Sequence, residues 1–370
     1  MYKQRVGILG STGSIGIQTL KVLERYPEKF EITLLTANSN RDLLMSQIDK
    51  HKPLRAAMQN GGNFRDKTRI YSLSALADSS FYDGVDIVLN GITGIAGLMP
   101  SFAVLKSGVK LATANKESLV AAGEYLIATS KKFGAPIIPV DSEHSALMQC
   151  IGQDKPEKLI ITASGGAFRD YSLEMLKTAS YTDALNHPTW KMGAKVTIDS
   201  ATLMNKGFEL IEAKWLFNTN NIDVLLHRES IVHAMVAFRD GNLKMCLSYP
   251  RMEIPIQYAL TYPEHLDCIE HLDLEILNNL TFQRIDENKF PCLSIGKAVL
   301  KEPWRGAALT VADEIALQLF RNGRIGFTEI PQIINNILDY STNMKHNSIE
   351  DVFAIIDAIN ELSKSKFKLK

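Results

Sequence analysis

A chain of 370 residues, 45% hydrophobic and 22% charged, is long enough for two or three domains and a sizeable core. Its 41 Lys plus Arg balance 41 Asp plus Glu with no long run of one sign, which argues against nucleic acid or an acidic membrane surface as a partner. Cys150, Cys246, Cys268 and Cys292 show no CxxC or zinc spacing, no apolar run approaches the roughly 18 residues of a membrane span, and no signal peptide precedes the first strand, so a cytoplasmic protein with reduced thiols is expected.

Residues 5–10 read as a buried strand that leads into Gly10-Ser-Thr-Gly13-Ser-Ile-Gly16 and then an amphipathic helix over residues 17–26. Glycines at that point allow a tight turn and let backbone N–H groups approach a pyrophosphate at the helix start. The spacing G-x-x-G-x-x-G is a variant of the dinucleotide fingerprint, and its place after a first strand strengthens it. A second strand over residues 30–36 ends in Ala37-Asn38-Ser39-Asn40-Arg41. No acid stands there for a ribose 2′-hydroxyl, and neutral polar groups beside Arg41 suit a 2′-phosphate, which favours NADPH over NADH. The alternative is that Arg41 is a solvated residue opening the next helix.

Further strands are predicted at residues 85–89, 110–113 and 136–140, with helical patterns between them. That alternation predicts an α/β fold, a Rossmann-like doubly wound parallel sheet over residues 1–140. Asn90-Gly-Ile-Thr-Gly94 and Ala114-Asn115-Lys116-Glu117 follow strands, where such sheets bind ligands. Asn115 and Lys116 are therefore ligand-side candidates, with helix capping by Asn115 as the alternative.

The strand ending at Val140 delivers Asp141-Ser142-Glu143-His144. Residues two apart in extended chain point the same way, so Asp141 and Glu143 can converge. With Glu209 they would offer three oxygen ligands to a hard divalent cation. An N-cap cluster is the competing account. A strand at 158–162 leads into Ser164-Gly165-Gly166, which reads as an anion nest or a plain turn. His187-Pro-Thr-Trp190-Lys-Met192-Gly193 is a loop whose Trp and Met read as a lid over a ligand or as a core anchor.

Lys195-Val-Thr-Ile-Asp199-Ser-Ala-Thr-Leu-Met-Asn205-Lys206-Gly207-Phe-Glu209 begins with a β-branched run, Val196 to Ile198, that reads as a short strand. Asp199-Ser200-Ala201-Thr202 then reads as a helix start, with helical periodicity from Leu203 onward. The spacing puts Asn205, Lys206 and Glu209 on one helical face. Gly207 costs about 1 kcal/mol against Ala within a helix, a cost better tolerated where something approaches closely. A solvated helix face with a chance ion pair is the alternative.

Together and in order, these motifs closely resemble the 1-deoxy-D-xylulose 5-phosphate reductoisomerase family, from residue 5 to about residue 340. The resemblance implies that Thr12, Gly13, Ser14 and Ile15 hold the NADPH pyrophosphate and that Asn40, Asn115, Glu117 and Gly193 complete the cofactor site. It implies Asp141, Glu143 and Glu209 as ligands of Mg²⁺, Mn²⁺ or Co²⁺. Lys116, Ser142, Glu143, Ser164, His187, Ser200, Asn205, Lys206 and Glu209 would contact a phosphorylated ketose, with Glu143, Lys116 and Lys206 serving catalysis. Trp190 and Met192 would form the lid, over residues 186–194. The implied reaction isomerises 1-deoxy-D-xylulose 5-phosphate and reduces the product to 2-C-methyl-D-erythritol 4-phosphate, in the non-mevalonate route to isoprenoid precursors, by a homodimer.

Four departures from the family pattern stand out. Asn38-Ser39-Asn40 replaces a Gly-containing turn, His227-Arg-Glu-Ser230 replaces His-Pro-Gln-Ser, and Arg251-Met-Glu253 replaces Asp-Met-Arg with its charges exchanged. The Asn-rich helix start of the family is altered to Thr310-Val-Ala-Asp313-Glu314. The expected division is a cofactor domain at 1–140, a catalytic α/β domain at 141–275, a linker at 276–290 and a helical bundle at 291–370. That bundle shows helical periodicity over 293–300, 309–320, 330–340 and 349–362, with no evident chemistry. Two other functions fit parts of the pattern. A metal-independent NADP dehydrogenase of the homoserine or semialdehyde type would not need three converging carboxylates. A non-catalytic nucleotide sensor would not need the Asp, Glu, Glu and Lys set.

Overall fold

The computed structural model describes residues 2–62, 67–273, 275, 277 and 279–367. The chain forms two compact units: Met1–Asn115 with Leu126–Ser145 and Arg251–Glu270, and Lys116–Tyr125 with Ala146–Pro250 and His271–Lys370.

The first unit is built on strands β1 (Gln4–Leu9), β2 (Phe30–Thr36), β3 (Arg55–Met58), β4 (Arg69–Ser72), β5 (Ile87–Asn90), β6 (Lys110–Thr113) and β7 (Ile137–Pro139). They make one sheet in the order β4-β3-β2-β1-β5-β6-β7, parallel throughout. Ile8, Leu9, Leu34, Leu35, Val88 and Leu89 are wholly buried, as expected where helices cover both faces of a parallel sheet. The connecting helices are α1 (Ser14–Glu24), α2 (Arg41–His51) and α3 (Leu98–Lys106). The order reverses between β1 and β5, the switch point at which such sheets bind ligands. Strands β2 and β6 have the bounds their sequence pattern predicts. Strands β3 and β4 are short, and their four-residue runs carry no periodicity to announce them.

α4 (Lys116–Phe133) has one non-helical residue, Ala122. α5 (Ser142–Ile151) follows β7. The second unit has a mixed sheet of β8 (Lys158–Ala163), β9 (Ile222–Leu226), β10 (Val232–Ala237) and β11 (Leu243–Leu247), in the order β11-β10-β8-β9. Helices α6 (Leu173–Lys177), α7 (Tyr181–Ala184), α8 (Ala194–Thr202) and α9 (Met204–Phe217) lie between β8 and β9. α10 (Glu253–Thr261) belongs to the first unit, where it packs on α1. α11 (Pro291–Lys301), α12 (Gly306–Arg321), α13 (Ile330–Tyr340) and α14 (Ile349–Phe367) match the four periodic segments of the C-terminal sequence. Residues 276–290, expected as a linker, include Gln283, which exchanges backbone hydrogen bonds with Leu226 at the end of β9.

One expectation fails. Val196 to Ile198 is not a strand but the middle of α8, and Asp199 to Thr202 is its last turn rather than a helix start. Three β-branched residues are too few to separate the two periods. The Lys195 ammonium lies 2.7 Å from Asp199 Oδ2, an i,i+4 pair that only a helix brings together. The boundary falls at Leu203, held at φ +60 between α8 and α9.

Candidate active site

The turn after β1 is sterically determined. A Cβ on Gly16 would sit 2.3 Å from Gly10 O and 2.4 Å from Ser11 Cα, and Gly10 has φ +77, so neither position accepts a side chain without moving the backbone. Gly13 opens α1 without a side-chain cap. That leaves the first-turn N–H groups around Ser14 and Ile15 for an external acceptor, an anion for preference. The turn is pinned from behind by Gln47 of α2, whose Nε2 donates to Ser11 O at 2.9 Å while Ser11 Oγ donates to Gln47 Oε1 at 2.6 Å. Nothing in the sequence marked Gln47, because its partner lies 36 residues away.

At the end of β2, Asn40 caps α2: its Oδ1 accepts from Leu43 N at 3.2 Å. Arg41 is exposed at the same edge, with Nη1 3.8 Å from Met58 Sδ. Asn115 is buried and does not simply cap a helix. Its Nδ2 donates to Ile92 O at 2.7 Å and Gly94 O at 2.8 Å, closing the loop after β5 against the end of β6. A Cβ on Gly97 would meet that amide at 2.6 Å, so Asn115 and Gly97 are a matched pair.

Asp141, Ser142 and Glu143 sit where β7 turns into α5. The convergence of the two carboxylates comes from this helix start rather than from an extended chain. Asp141 Oδ1 accepts from Ser142 N at 2.9 Å, and Ser142 Oγ donates to Glu143 Oε2 at 2.6 Å. A carboxylate oxygen of each residue lies within 4.8 Å of the other. That is a spacing suited to a shared hard cation. His144 is fully buried, with Nδ1 3.8 Å from Asp141 Oδ2.

In the second unit, Ser164 Oγ lies 2.9 Å from His187 Nε2. His187 Nδ1 accepts from Thr189 N at 3.1 Å and Trp190 N at 2.9 Å. A ring that accepts at Nδ1 carries its proton on Nε2, which donates to Ser164. Burial, reinforced by the charges of Arg169 and Lys206, lowers the His187 pKa to about 4, so the ring is neutral at physiological pH. Gly166, with φ +65, lets the loop pass Ser200: a Cβ there would lie 2.4 Å from Ser200 O. Trp190 packs edge-on to His233 of β10, with centroids 6.0 Å apart, so part of the loop is anchored.

α9 carries the densest polar group. Lys206 Nζ donates to Glu209 Oε2 at 2.6 Å, and Asn205 Nδ2 donates to Glu209 Oε1. Lys116, at the start of α4, donates to Glu209 Oε1 at 3.0 Å and to Asn205 Oδ1 at 2.8 Å. All four side chains are buried, Glu209 completely. An apolar-lined helix face does not gather two ammonium groups and a carboxylate by chance, because each charge must be neutralised where water is excluded. Gly207 is explained by its neighbour. A Cβ on Gly296 of α11 would lie 2.3 Å from Gly207 Cα, so the close approach expected at Gly207 is that of a second helix.

The exchanged charges near residue 251 pair with each other: Arg251 Nη2 lies 3.6 Å from Glu253 Oε1, with Glu270 3.8 Å away. Arg228 pairs with Asp170 at 2.7 Å, and Glu229 Oε2 lies 3.0 Å from His227 Nδ1. Glu117 lies 3.3 Å from Lys195 Nζ. Gly193 opens α8 in extended conformation, exposed and without a side-chain cap.

A Rossmann-like sheet with an anion-ready glycine turn and, in the second unit, a buried group of two lysines and a glutamate beside a neutral histidine mark a nucleotide-dependent oxidoreductase. The chain belongs to the 1-deoxy-D-xylulose 5-phosphate reductoisomerase family. Residues 6–123 match the model of 1-deoxy-D-xylulose 5-phosphate reductoisomerase, residues 137–217 that of its C-terminal domain, and residues 247–362 that of a DXP reductoisomerase C-terminal domain. The 1-deoxy-D-xylulose 5-phosphate reductoisomerase of Thermoanaerobacter pseudethanolicus is 43% identical over 98% of this chain and 99% of its own. That of Chloroherpeton thalassium is 42% identical over 95% of each. A crystal structure of DOX-P reductoisomerase with NADPH, fosmidomycin and magnesium is 36% identical, covers 99% of this chain and 98% of that chain, and has a TM-score of 0.92. The Zymomonas mobilis enzyme with NADPH is 35% identical over 97% of each chain, with a TM-score of 0.87.

Proposed function

We infer that this chain converts 1-deoxy-D-xylulose 5-phosphate to 2-C-methyl-D-erythritol 4-phosphate with NADPH and a divalent metal, a step toward isoprenoid precursors. One observation carries the reading: a full-length likeness to a reductoisomerase solved with NADPH and magnesium, at 36% identity and a TM-score of 0.92. The residues present fit both groups, since the uncapped α1 N-terminus suits a pyrophosphate and the Asp141–Glu143 oxygens suit a hard cation. NADPH would be held by Thr12, Gly13, Ser14 and Ile15, with Asn40, Asn115, Glu117 and Gly193 completing its site. Asp141, Glu143 and Glu209 would hold Mg²⁺ or Mn²⁺.

When bound, the cation supplies Lewis-acid polarisation and NADPH supplies the hydride. The rest falls to the chain. Ser164, His187, Ser200, Asn205 and Lys206 grip the substrate phosphate, which contributes remote binding energy for orientation. Neutral His187 occupies Ser164 Oγ as an acceptor, leaving that hydroxyl's own hydrogen for a phosphate oxygen. Lys116 and Ser142 orient the carbon chain. Glu143 takes a hydroxyl proton as the carbon skeleton rearranges to the branched aldehyde. Trp190 and Met192 cover the aldehyde and exclude water before reduction. The proposed division follows: residues 1–140 serve the cofactor, 141–275 the chemistry, and 291–370 buttress α9. A cytoplasmic homodimer is the proposed working form. It is supported by the exposed Leu243 and Met245 on the edge strand β11 and by the lack, among the described residues, of any helix long and apolar enough to cross a membrane.

The test is NADPH oxidation with the ketose phosphate and Mn²⁺ or Mg²⁺, with and without a chelator. Metal-dependent oxidation with formation of the branched polyol phosphate is expected. Oxidation indifferent to the chelator would sink the reading in favour of a metal-independent dehydrogenase.

A further inference from the structure

Behind α9 lies a second buried charge cluster, of which only Glu117 has a part in the function proposed above. Lys195 Nζ, on a side chain only 14% exposed, lies 2.7 Å from Asp199 Oδ2, 2.8 Å from Asp313 Oδ2 and 3.3 Å from Glu117 Oε1. Asp199 and Lys195 belong to α8, Glu117 to α4 and Asp313 to α12. The Phe208 ring of α9 lies 5.1 Å from the same ammonium, and the Cys292 thiol of α11 is buried. Asp199 and Asp313 each keep Oδ1 buried with no hydrogen-bond donor.

Three ionised carboxylates around one ammonium would leave a buried excess of negative charge, and each Oδ1 would be a desolvated charge without a partner. Both are costly at such burial. A proton on one aspartate cuts the excess from two negative charges to one and leaves that carboxyl uncharged.

We propose that Asp199 and Asp313 hold one proton between them beside Lys195, and that this singly protonated cluster positions Ser200, the next residue of α8, for its anionic substrate. Burial pushes the carboxyls of both Asp199 and Asp313 up, and for Asp199 the facing Asp313 charge adds to the effect. Burial works against the Lys195 charge, but Asp199, Asp313 and Glu117 outweigh it, so the ammonium persists. Burial together with the Asp313 and Asp199 charges pushes the Cys292 thiol up, so it stays protonated and does not compete. Lys195 and Asp199 lock the last turns of α8 to α12. Ser200 Oγ follows from that lock, while the phosphate role of Ser200 rests on the function proposed above.

The sign of the pH effect is determined. The folded chain binds a proton that an unfolded aspartate releases near its ordinary value of about 4, so wild-type stability falls as pH rises above that point. Asp313→Asn keeps the shape and hydrogen-bonding capacity of the neutral acid but cannot ionise. Thermal melts of wild type and Asp313→Asn at pH 6 and pH 9 should show the variant at least as stable at pH 6. The gap should widen in its favour by about 2–4 °C at pH 9. A variant that fails to fold, or that is less stable by a constant or growing margin, overturns the proposal, because both aspartates would then be needed as charges. Asp199→Asn provides the same comparison from the other side. For positioning, the KM of wild type for the ketose phosphate should rise with pH while that of Asp313→Asn stays flat, with kcat alike in both. Equal KM profiles would overturn the positioning role. The melts need no substrate, so their outcome stands apart from whether the ketose phosphate is turned over.

Discussion

Lys206 and Glu209 are joined across one turn of α9, Nζ to Oε2 at 2.6 Å, with the carboxylate wholly buried. The other carboxylate oxygen serves Lys116 at 3.0 Å. One carboxylate thus accepts from two ammonium groups and, in the proposed function, also serves a metal. Glu209→Gln should remove metal binding and both halves of the reaction together. Activity should fall by at least about 100-fold, a loss typical of disturbed metal ligation. Calorimetric titration with Mn²⁺ checks it, and near-normal affinity would exclude Glu209 as a ligand. Stability should fall too, because two buried cations lose a carboxylate that accepts from both of them.

His187 should not titrate in the working range. Its pKa is lowered to about 4 from an ordinary 6.5, first by burial and then by Arg169 and Lys206. Between those values the unfolded chain binds a proton that the folded chain refuses. The contribution of His187 to stability is therefore complete above pH 6.5 and is lost as pH falls through about 4. The imidazole proton resonances of His187 should stay constant from pH 9 to below pH 6. A titration near the ordinary value would refute the neutral Nε2–H tautomer.

Ser200→Ala should act on binding. Losing one hydrogen bond to a charged group costs about 1.5–3 kcal/mol, so KM for the ketose phosphate should rise by about 10- to 100-fold with kcat little changed. A change confined to kcat would argue against a phosphate contact.

Gly296 touches no substrate in this scheme, yet its substitution should reach the site. Its added Cβ would lie 2.3 Å from Gly207 Cα, whereas a Cβ on Gly207 would find Gly296 Cα at 3.1 Å. Gly296→Ala should therefore push α11 from α9, cost about 1–3 kcal/mol and lower kcat through Asn205, Lys206 and Glu209. Gly207→Ala should be the milder of the two. Denaturant midpoints of both variants decide the order.

Local pattern sufficed for the glycine turn, for β1, β2 and β6, and for the four C-terminal helices. A strand flanked by glycine punctuation, or an amphipathic stripe of ten residues or more, is specified by neighbours in the chain. Asn205, Lys206 and Glu209 were equally legible, since a helix brings i, i+3 and i+4 together whatever surrounds it. Residues 196–202 form a helix where local pattern predicts a strand and a helix start, because Val, Thr, Ile, Asp and Ser favour those roles in isolation. Burial against α11 and the Lys195–Asp199 pair override that preference.

The sequence by itself determined the nucleotide-type turn, the parallel α/β architecture and the polar residues that α9 gathers on one face. Only the tertiary structure decided that Lys116 shares Glu209 with Lys206, that Gln47 pins the glycine turn, and that Asp313 sits 2.8 Å from Lys195 across 118 residues of chain. The reason is physical. Backbone conformation answers mainly to near neighbours, whereas the neutralisation of a buried charge is settled by whatever group the fold delivers to it.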